Sequence, residues 1–431
     1  MINALINVRI YDYDNYIENG YIIFDDFIRE VGDMKRFKAN LYHVINGKGM
    51  LVLPNFVCAH SHIYSIFARG LSLPFNPTDF QEILDQMWWK LDAQIDNKIT
   101  YYSGIAAGYE FLLNGVTTII DHHASGRDIT GSLKSLKKSL VDTLNLRAIL
   151  CFETSDRFDV RKCIKENVDF AKKNQGPHIS GLFGMHASMS LKNNSLKLIE
   201  ALNPSLPIHI HVAESDMDVV DCEKSYQTTI IDRLESYHLL NPDSLIVHGV
   251  FMTTPEIEKV KNHDCYIVIN PTSNLNNAVG ITNLRNFLDG GVKVMVGNDG
   301  LSSSMATEYL NAYYLGHLKT GSPLGVSLDE IKGLINNAYD YASRRLGVKI
   351  GRIKADYVPD FMVVPYEPFT KMDQDNAFGH IFFGLFPNFK PLHVFVDGKH
   401  LVKHGQVVSS KAKRELKLAK GYSEELWKRV K

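Results

Sequence analysis

The chain has 431 residues, 45% apolar and 22% charged, a globular profile that excludes disorder, collagen and small disulfide scaffolds. Its 47 Lys and Arg against 48 Asp and Glu leave a net charge of −1 without a dominant basic patch, so neither nucleic acid nor an anionic membrane surface is an expected partner. The length allows roughly three domains, or one barrel of about 250 residues or more with a smaller unit beside it.

The first 50 or so residues read as short strands with turns: ALINVRIY, GYIIFDDFIREVG and LYHVING. No positively charged stretch followed by a long apolar core opens the chain, and no run of about 18 apolar residues occurs anywhere, so a cytoplasmic protein is expected. The five cysteines, Cys58, Cys151, Cys163, Cys222 and Cys265, form no CxxC pair and are expected as reduced thiols.

From Pro54 to Lys354 eight short apolar runs alternate with amphipathic stretches of helical length. The runs are LVLPNFVCAH, VTTIID, RAILCFE, HISGLFGMH, PIHIHVAE, LIVHG, CYIVIN and KVMVGND. Eight βα units predict an α/β fold, a (β/α)8 TIM barrel whose strands are apolar on both faces. Residues 356 to 408 return to strand character, so a small β-sandwich is expected from both termini, 1–53 and 355–431, around a barrel at 54–354. The basic, polar stretch from Ser409 is expected to be a solvated helix.

Polar residues collect at the C-terminal ends of the apolar runs, the rim on which barrel active sites are built. His60 and His62 stand two apart, so on a strand both point the same way and can share a metal ion. His209 and His211 also share one side; His211, nearer the rim, is the better ligand by position, and His209 the better packed residue. Glu214, just past that strand, is placed to shuttle protons, while His248 and Asp299 end the sixth and eighth runs. Neutral imidazoles with one carboxylate suit Zn²⁺ or Fe²⁺ and leave a position for water. Cys58 is expected as a small buried side chain, and Trp88 and Trp89 as helix packing.

These strings resemble the amidohydrolase superfamily, in its aminohydrolase branch of atrazine chlorohydrolase-like, guanine deaminase-like and adenosylhomocysteine deaminase-like enzymes. The resemblance runs through LVLPNFVCAHSH, GVTTIID, HIHVAE, VHG, NPTSN, NDG and ADYVPDFMVV. Within the branch, WWKLD, DHHAS, CFETSDR and SNLNN are most similar to the aminohydrolases called SsnA. It implies one divalent metal, zinc first and iron second, on His60, His62, His211 and Asp299, with His211 rather than His209 as the fifth-strand ligand. It further implies Glu214 as general acid and base, His248 beside the attacking water, and Asp299 as acceptor of the water proton. Substrate contacts are expected from His186 and His122, with Asn270 of NPTSN as a further candidate; Arg69 is expected in an ion pair, with substrate contact as the alternative. Phe251 and Asn298 replace a histidine and a threonine common among relatives.

The reaction so implied is hydrolytic deamination of an amino-substituted N-heterocycle, purine-, pterin- or pyrimidine-like, by metal-bound hydroxide. Ring opening of a cyclic amide or ureide is the alternative, against which stands the lack of a lysine in HISGLFGMH. A catalytically silent barrel acting as a binding or maturation partner is the non-enzymatic one. Relatives of this kind are often homodimers.

Overall fold

The computed structural model of the chain describes residues 2–39 and 41–431. Strands β1 (Asn3–Tyr11), β2 (Tyr16–Phe24), β3 (Ile28–Asp33), β4 (His43–Asn46) and β5 (Leu51–Pro54) come from the N-terminal part. The central part supplies β6 (Phe56–Ser61), β7 (Val116–His123), β8 (Arg147–Phe152), β9 (Ile179–Gly181) and β10 (Phe183–Ala187). It continues with β11 (Ile208–Val212), β12 (Leu245–His248), β13 (Tyr266–Ile269) and β14 (Lys293–Val296). Strands β15 (Phe361–Val364), β16 (His393–Val396), β17 (Lys399–Lys403) and β18 (Gln406–Val407) follow.

Both ends of the chain meet in one sheet ordered β18-β17-β16-β15-β5-β1-β2-β3, with β4 also paired to β1. The seam is β15 antiparallel to β5, with Phe361 opposite Pro54 and Val364 opposite Leu51. Val8, Ile22, Phe24, Val52, Phe361 and Phe395 pack into a separate small core there. The apolar run read as one strand from Leu51 to His60 is therefore two. It breaks at Asn55, whose amide donates to the Phe395 carbonyl at 2.7 Å, so β5 stays in the terminal sheet and β6 starts the barrel.

The barrel strands are all parallel, in the orders β6-β7-β8-β9 and β10-β11-β12-β13-β14. The expected fourth strand is interrupted at Leu182: β9 pairs with β8, and β10 with β11. Across that break Thr154 bridges Met185, and at the other edge Ser61 bridges Asp299, joining the first strand to the eighth. Every residue of β6, β7, β8 and β11 is buried, which is why these strands read as unbroken apolar runs.

The C-terminal helix Ser410–Val430 exists, but it is not wholly solvated. Ala412, Ala419 and Leu426 are buried, Tyr422 stacks on Tyr102 at 4.0 Å, and the Trp427 indole donates to the Phe67 carbonyl at 2.6 Å. Its many lysines mask a narrow apolar stripe that docks on the helix Asn97–Leu113.

Candidate metal centre and active site

Four side chains from three strand ends and one turn converge at the rim. His60 is in β6 and His62 one residue beyond it, His211 is in β11, and Asp299 follows β14. Their Nε2 and Oδ1 atoms lie within 4.8 Å of one another. His62 Nε2 is 3.2 Å from His211 Nε2 and 3.1 Å from Asp299 Oδ1, while His60 Nε2 is 3.4 Å from His211 Nε2 and 3.3 Å from Asp299 Oδ1. Asp299 and His248 hold their places with left-handed backbone, φ 56° and 74°, a strained choice for residues other than glycine that recurs at functional sites. Gly297 has to be glycine, because a Cβ there would lie 2.5 Å from Asn270 Oδ1 and 2.7 Å from His60 Cβ.

The outer hydrogen bonds decide which lone pairs point inward. His62 Nδ1 donates to the His122 carbonyl at 2.7 Å, which turns Nε2 toward His211 and Asp299. His60 Nδ1 meets His209 Nε2 at 2.8 Å, and His209 Nδ1 lies 3.5 Å from the Cys151 sulfur. His209 thus stands behind His60 and orients it, a common arrangement for a ligating imidazole. Burial holds His60 down at about 4, and it holds His211 and His209 well below the usual imidazole range, so these rings are neutral. Burial also opposes a charge on His62, but the Asp299 contact, with Glu153 and Asp121 behind it, raises it to about 9. His62, so raised, and Asp299 attract each other across 3.1 Å, and a divalent ion among the four groups would displace the proton between them. Three nitrogens and one oxygen are a donor set that fits a divalent transition metal.

A second group adjoins the first. His248 Nδ1 donates to Asn274 Oδ1 at 2.9 Å, because the Asn274 amide nitrogen is itself committed to Thr282 at 3.0 Å. His248 Nε2 is then left 3.4 Å from Glu214 Oε2. No hydrogen bond joins the two; burial pushes the Glu214 carboxyl up toward holding a proton, against the pull of His248 and with Asp299 adding to the rise. Asn277 donates to the other Glu214 oxygen at 3.5 Å, and Ser273 donates to Asp299 Oδ2.

A cavity opens on His62, His211, Glu214 and Asp299. Of the expected substrate contacts, His186 lines it. His122 is fully buried behind His62 and His211, and neither ring nitrogen has a hydrogen-bond partner among the described residues. Asn270 is also fully buried, off the cavity wall and next to Gly297. Arg69 lies outside, more than half exposed and paired to Glu110 at 2.9 Å. Trp88 and Trp89, expected as packing, line the cavity with Asp92 and Glu153. The helical segment from Phe80 to Asp92 widens into a π turn over Leu84–Trp88. A face read at 3.6 residues per turn is rotated by such a turn, so helical periodicity misplaces both indoles.

A model described as the amidohydrolase family matches residues 51–401. A 5-methylthioadenosine/S-adenosylhomocysteine deaminase of Thermococcus sibiricus is 26% identical over 413 residues, which cover 89% of this chain and 92% of that protein. A 5'-deoxyadenosine deaminase of Methanosphaera stadtmanae is 27% identical over 355 residues, 80% of each chain. Among crystal structures, an adenosine deaminase from Xanthomonas campestris with bound zinc shares the fold, with a TM-score of 0.84 at 17% identity over 98% of both chains.

Proposed function

Because the chain belongs to the amidohydrolase family, we propose that its rim cavity binds a purine-like amine and that the residues around it carry out hydrolytic deamination. As a member of that family with deaminase relatives, the chain is a metal-dependent hydrolase of C–N bonds. The observation that carries the site assignment is the convergence of one potential ligand atom each from His60, His62, His211 and Asp299 beside the adjoining Glu214 and His248. These four residues would hold zinc, with Fe²⁺ as the other ion such donors accept. A divalent ion held there brings the pKa of a water toward neutrality and so supplies the nucleophile.

The remaining steps belong to the side chains. Asp299, held well below the usual carboxylate range by His60 and His62 against the effect of burial, accepts a proton from the attacking water. Glu214 gives its proton to the ring nitrogen next to the attacked carbon. The amine leaves as ammonia with the proton Asp299 took, and the new hydroxyl returns a proton to Glu214 as the carbonyl forms. His248, fixed by Asn274, keeps the Glu214 proton on the cavity side. In the Glu214→Gln protein, metal content should stay at the wild-type level while ammonia release falls by about 10²–10⁴. Ammonia release at the normal rate would refute the assignment, and a new carboxylate without ammonia would point to ring opening instead.

The purine preference is supported by the relatives, which act on adenosine derivatives by name. A cytoplasmic setting is supported by five cysteines that are all free and buried; no helix among the described residues is long and apolar enough to cross a membrane. A homodimer is the proposed assembly, with exposed Tyr314, Leu318, Leu324 and Phe383 as the apolar surface for such contact.

A further inference from the structure

The cavity wall away from Glu214 carries Glu153 and His186, neither of which has a part in the proton transfers above. His186 Nδ1 is 2.7 Å from Ser190 Oγ. That hydroxyl donates its own hydrogen to the Ala187 carbonyl at 3.1 Å, so it can only accept from the ring. Nδ1 therefore carries the ring proton, and Nε2 presents a lone pair 3.9 Å from Glu153 Oε1.

Glu153 is just as short of donors. Arg157 gives it one N–H, to Oε1 at 2.9 Å, and the His122 ring lies 3.7 Å from Oε2, beyond a hydrogen bond. The other arm of Arg157 is spent on Asp92, with both carboxylate oxygens within 3.1 Å, and its plane lies over Trp89 at 4.8 Å. One guanidinium thus serves two buried carboxylates, and since burial pushes the Asp92 carboxyl up to about 7 while Arg157 helps hold Glu153 low, the charge of the wall rests on Glu153. Two acceptors stand side by side facing the cavity, and no side-chain donor among the described residues lies between them.

We propose that Glu153 and His186 are specificity-determining residues, an acceptor pair that selects amino-heterocycles bearing an N–H donor besides the amine that leaves, such as a second amino group or a ring N–H. The inference rests on the cavity being the substrate site of the function proposed above. A ligand lacking that donor strands both acceptors in a buried, negatively charged wall, and a site built around a hydrogen bond rejects such analogues strongly. Anionic heterocycles are rejected for the same reason. Arg157 and Asp92 act as positioning residues that keep the Glu153 carboxylate on the wall.

The test uses matched pairs that differ in one donor and carry no imidazole N–H: 9-methyl-2,6-diaminopurine against 9-methyladenine, and 9-methylguanine against 1,9-dimethylguanine. Ammonia release and calorimetric binding are both measured on the metal-loaded protein. Wild type should favour the donor-bearing member of a pair by about 10–100-fold in kcat/KM and in binding. Glu153→Gln keeps a partner for Arg157 but turns an acceptor toward the ligand into a donor. It should erase the preference, mainly through KM, with metal content at the wild-type level. His186→Phe should move the preference in the same direction, which covers the case of a Glu153 variant that folds poorly. Equal handling of both members by wild type would overturn the proposal. So would an equal loss on both members in the two variants, or loss of metal from Glu153→Gln, since Glu153 would then be a ligand within the His62, His122 and His211 set. Binding preference without ammonia from any amine would sustain the acceptor pair and sink the deaminase reading; absence of both would sink the pair as well.

Discussion

The barrel has a polar cluster buried at each end, and the two are built on opposite logic. At the base, Arg147 is fully buried at the start of β8. It donates to Asp360 at 2.7 and 3.2 Å, to Asp397 and to the Pro177 carbonyl, while the Asp397 amide donates to Asp360 at 2.8 Å. Donors there meet acceptors, and the cluster ties the barrel to the terminal sheet that carries both aspartates. At the rim, by contrast, groups able to accept face one another: neutral His60 against neutral His211, His248 against Glu214, His186 against Glu153. Burial of polar groups alone does not separate structure from chemistry, since both ends have it. What separates them is the hydrogen-bond inventory: a satisfied cluster has finished its work in folding, and one left with converging lone pairs awaits a ligand, a proton or an ion.

The contrast breaks most visibly if a rim acceptor can be removed without loss of function. Asp299→Asn replaces the one anionic member of the candidate metal set, and we expect loss of bound metal and a fall in turnover of at least about 10³. The stripped variant should melt lower than stripped wild type, because it loses the carboxylate that pairs with His62. Elemental analysis, ammonia release and a thermal melt give the three readings, and a full metal complement with normal turnover would contradict the rim's role.

The base should respond the other way. Arg147→Met leaves the buried Asp360 and the partly exposed Asp397 without their cation, and breaking a buried pair typically costs about 3–5 kcal/mol of folding stability. The fraction that stays folded at low temperature should bind metal and turn over normally. A variant that is fully stable but inactive would mean the two clusters are coupled and the division false.

Glu308 sharpens the contrast because it lies near the rim yet lines no part of the cavity. It is fully buried, accepts from the Thr272 amide at 3.2 Å, and its other oxygen has no partner. Burial pushes its carboxyl up from 4.5 to about 7. Between those values the folded protein binds more protons than the unfolded chain, so stability falls as pH rises through that window and levels off above it. Glu308→Gln should match wild type near pH 4 and exceed it by up to about 3 kcal/mol near pH 8, as urea unfolding of the stripped proteins would show. An unchanged pH slope would mean that a group outside this window sets it.

The division between the two ends was only partly legible in the sequence. Period-two alternation is local, so His60 with His62, and His211 at the end of its run, are visible without a structure. The eight apolar runs show the barrel because both faces of its strands are buried. Bonds between distant segments leave no such trace: nothing local tells that Arg157 reaches back 65 residues to Asp92 or that Arg147 reaches forward 213 to Asp360. The π turn at Leu84–Trp88 conceals Trp88 and Trp89 for the opposite reason, since the periodicity is present but shifted. Asn270 misled because its run ends at the rim like the others, while its side chain turns back beneath His60, where Gly297 makes room.

The smallest effect is expected where the sequence offered a charged residue near the site and the structure placed it in water. Arg69 is 57% exposed and Glu110 34%, and such pairs contribute about 0–1 kcal/mol because solvent screens them and two long side chains must be held in place. Arg69 borders an outer groove rather than the cavity that opens on the candidate ligands. Arg69→Ala should therefore lower stability by less than about 1 kcal/mol, an effect that shrinks further in high salt, and leave KM and kcat where they were. A severalfold rise in KM that salt does not alter would show that substrate extends into the groove and meets the guanidinium directly. The functional boundary would then lie outside the ring of unpaired acceptors, at a residue whose hydrogen bonds are already satisfied.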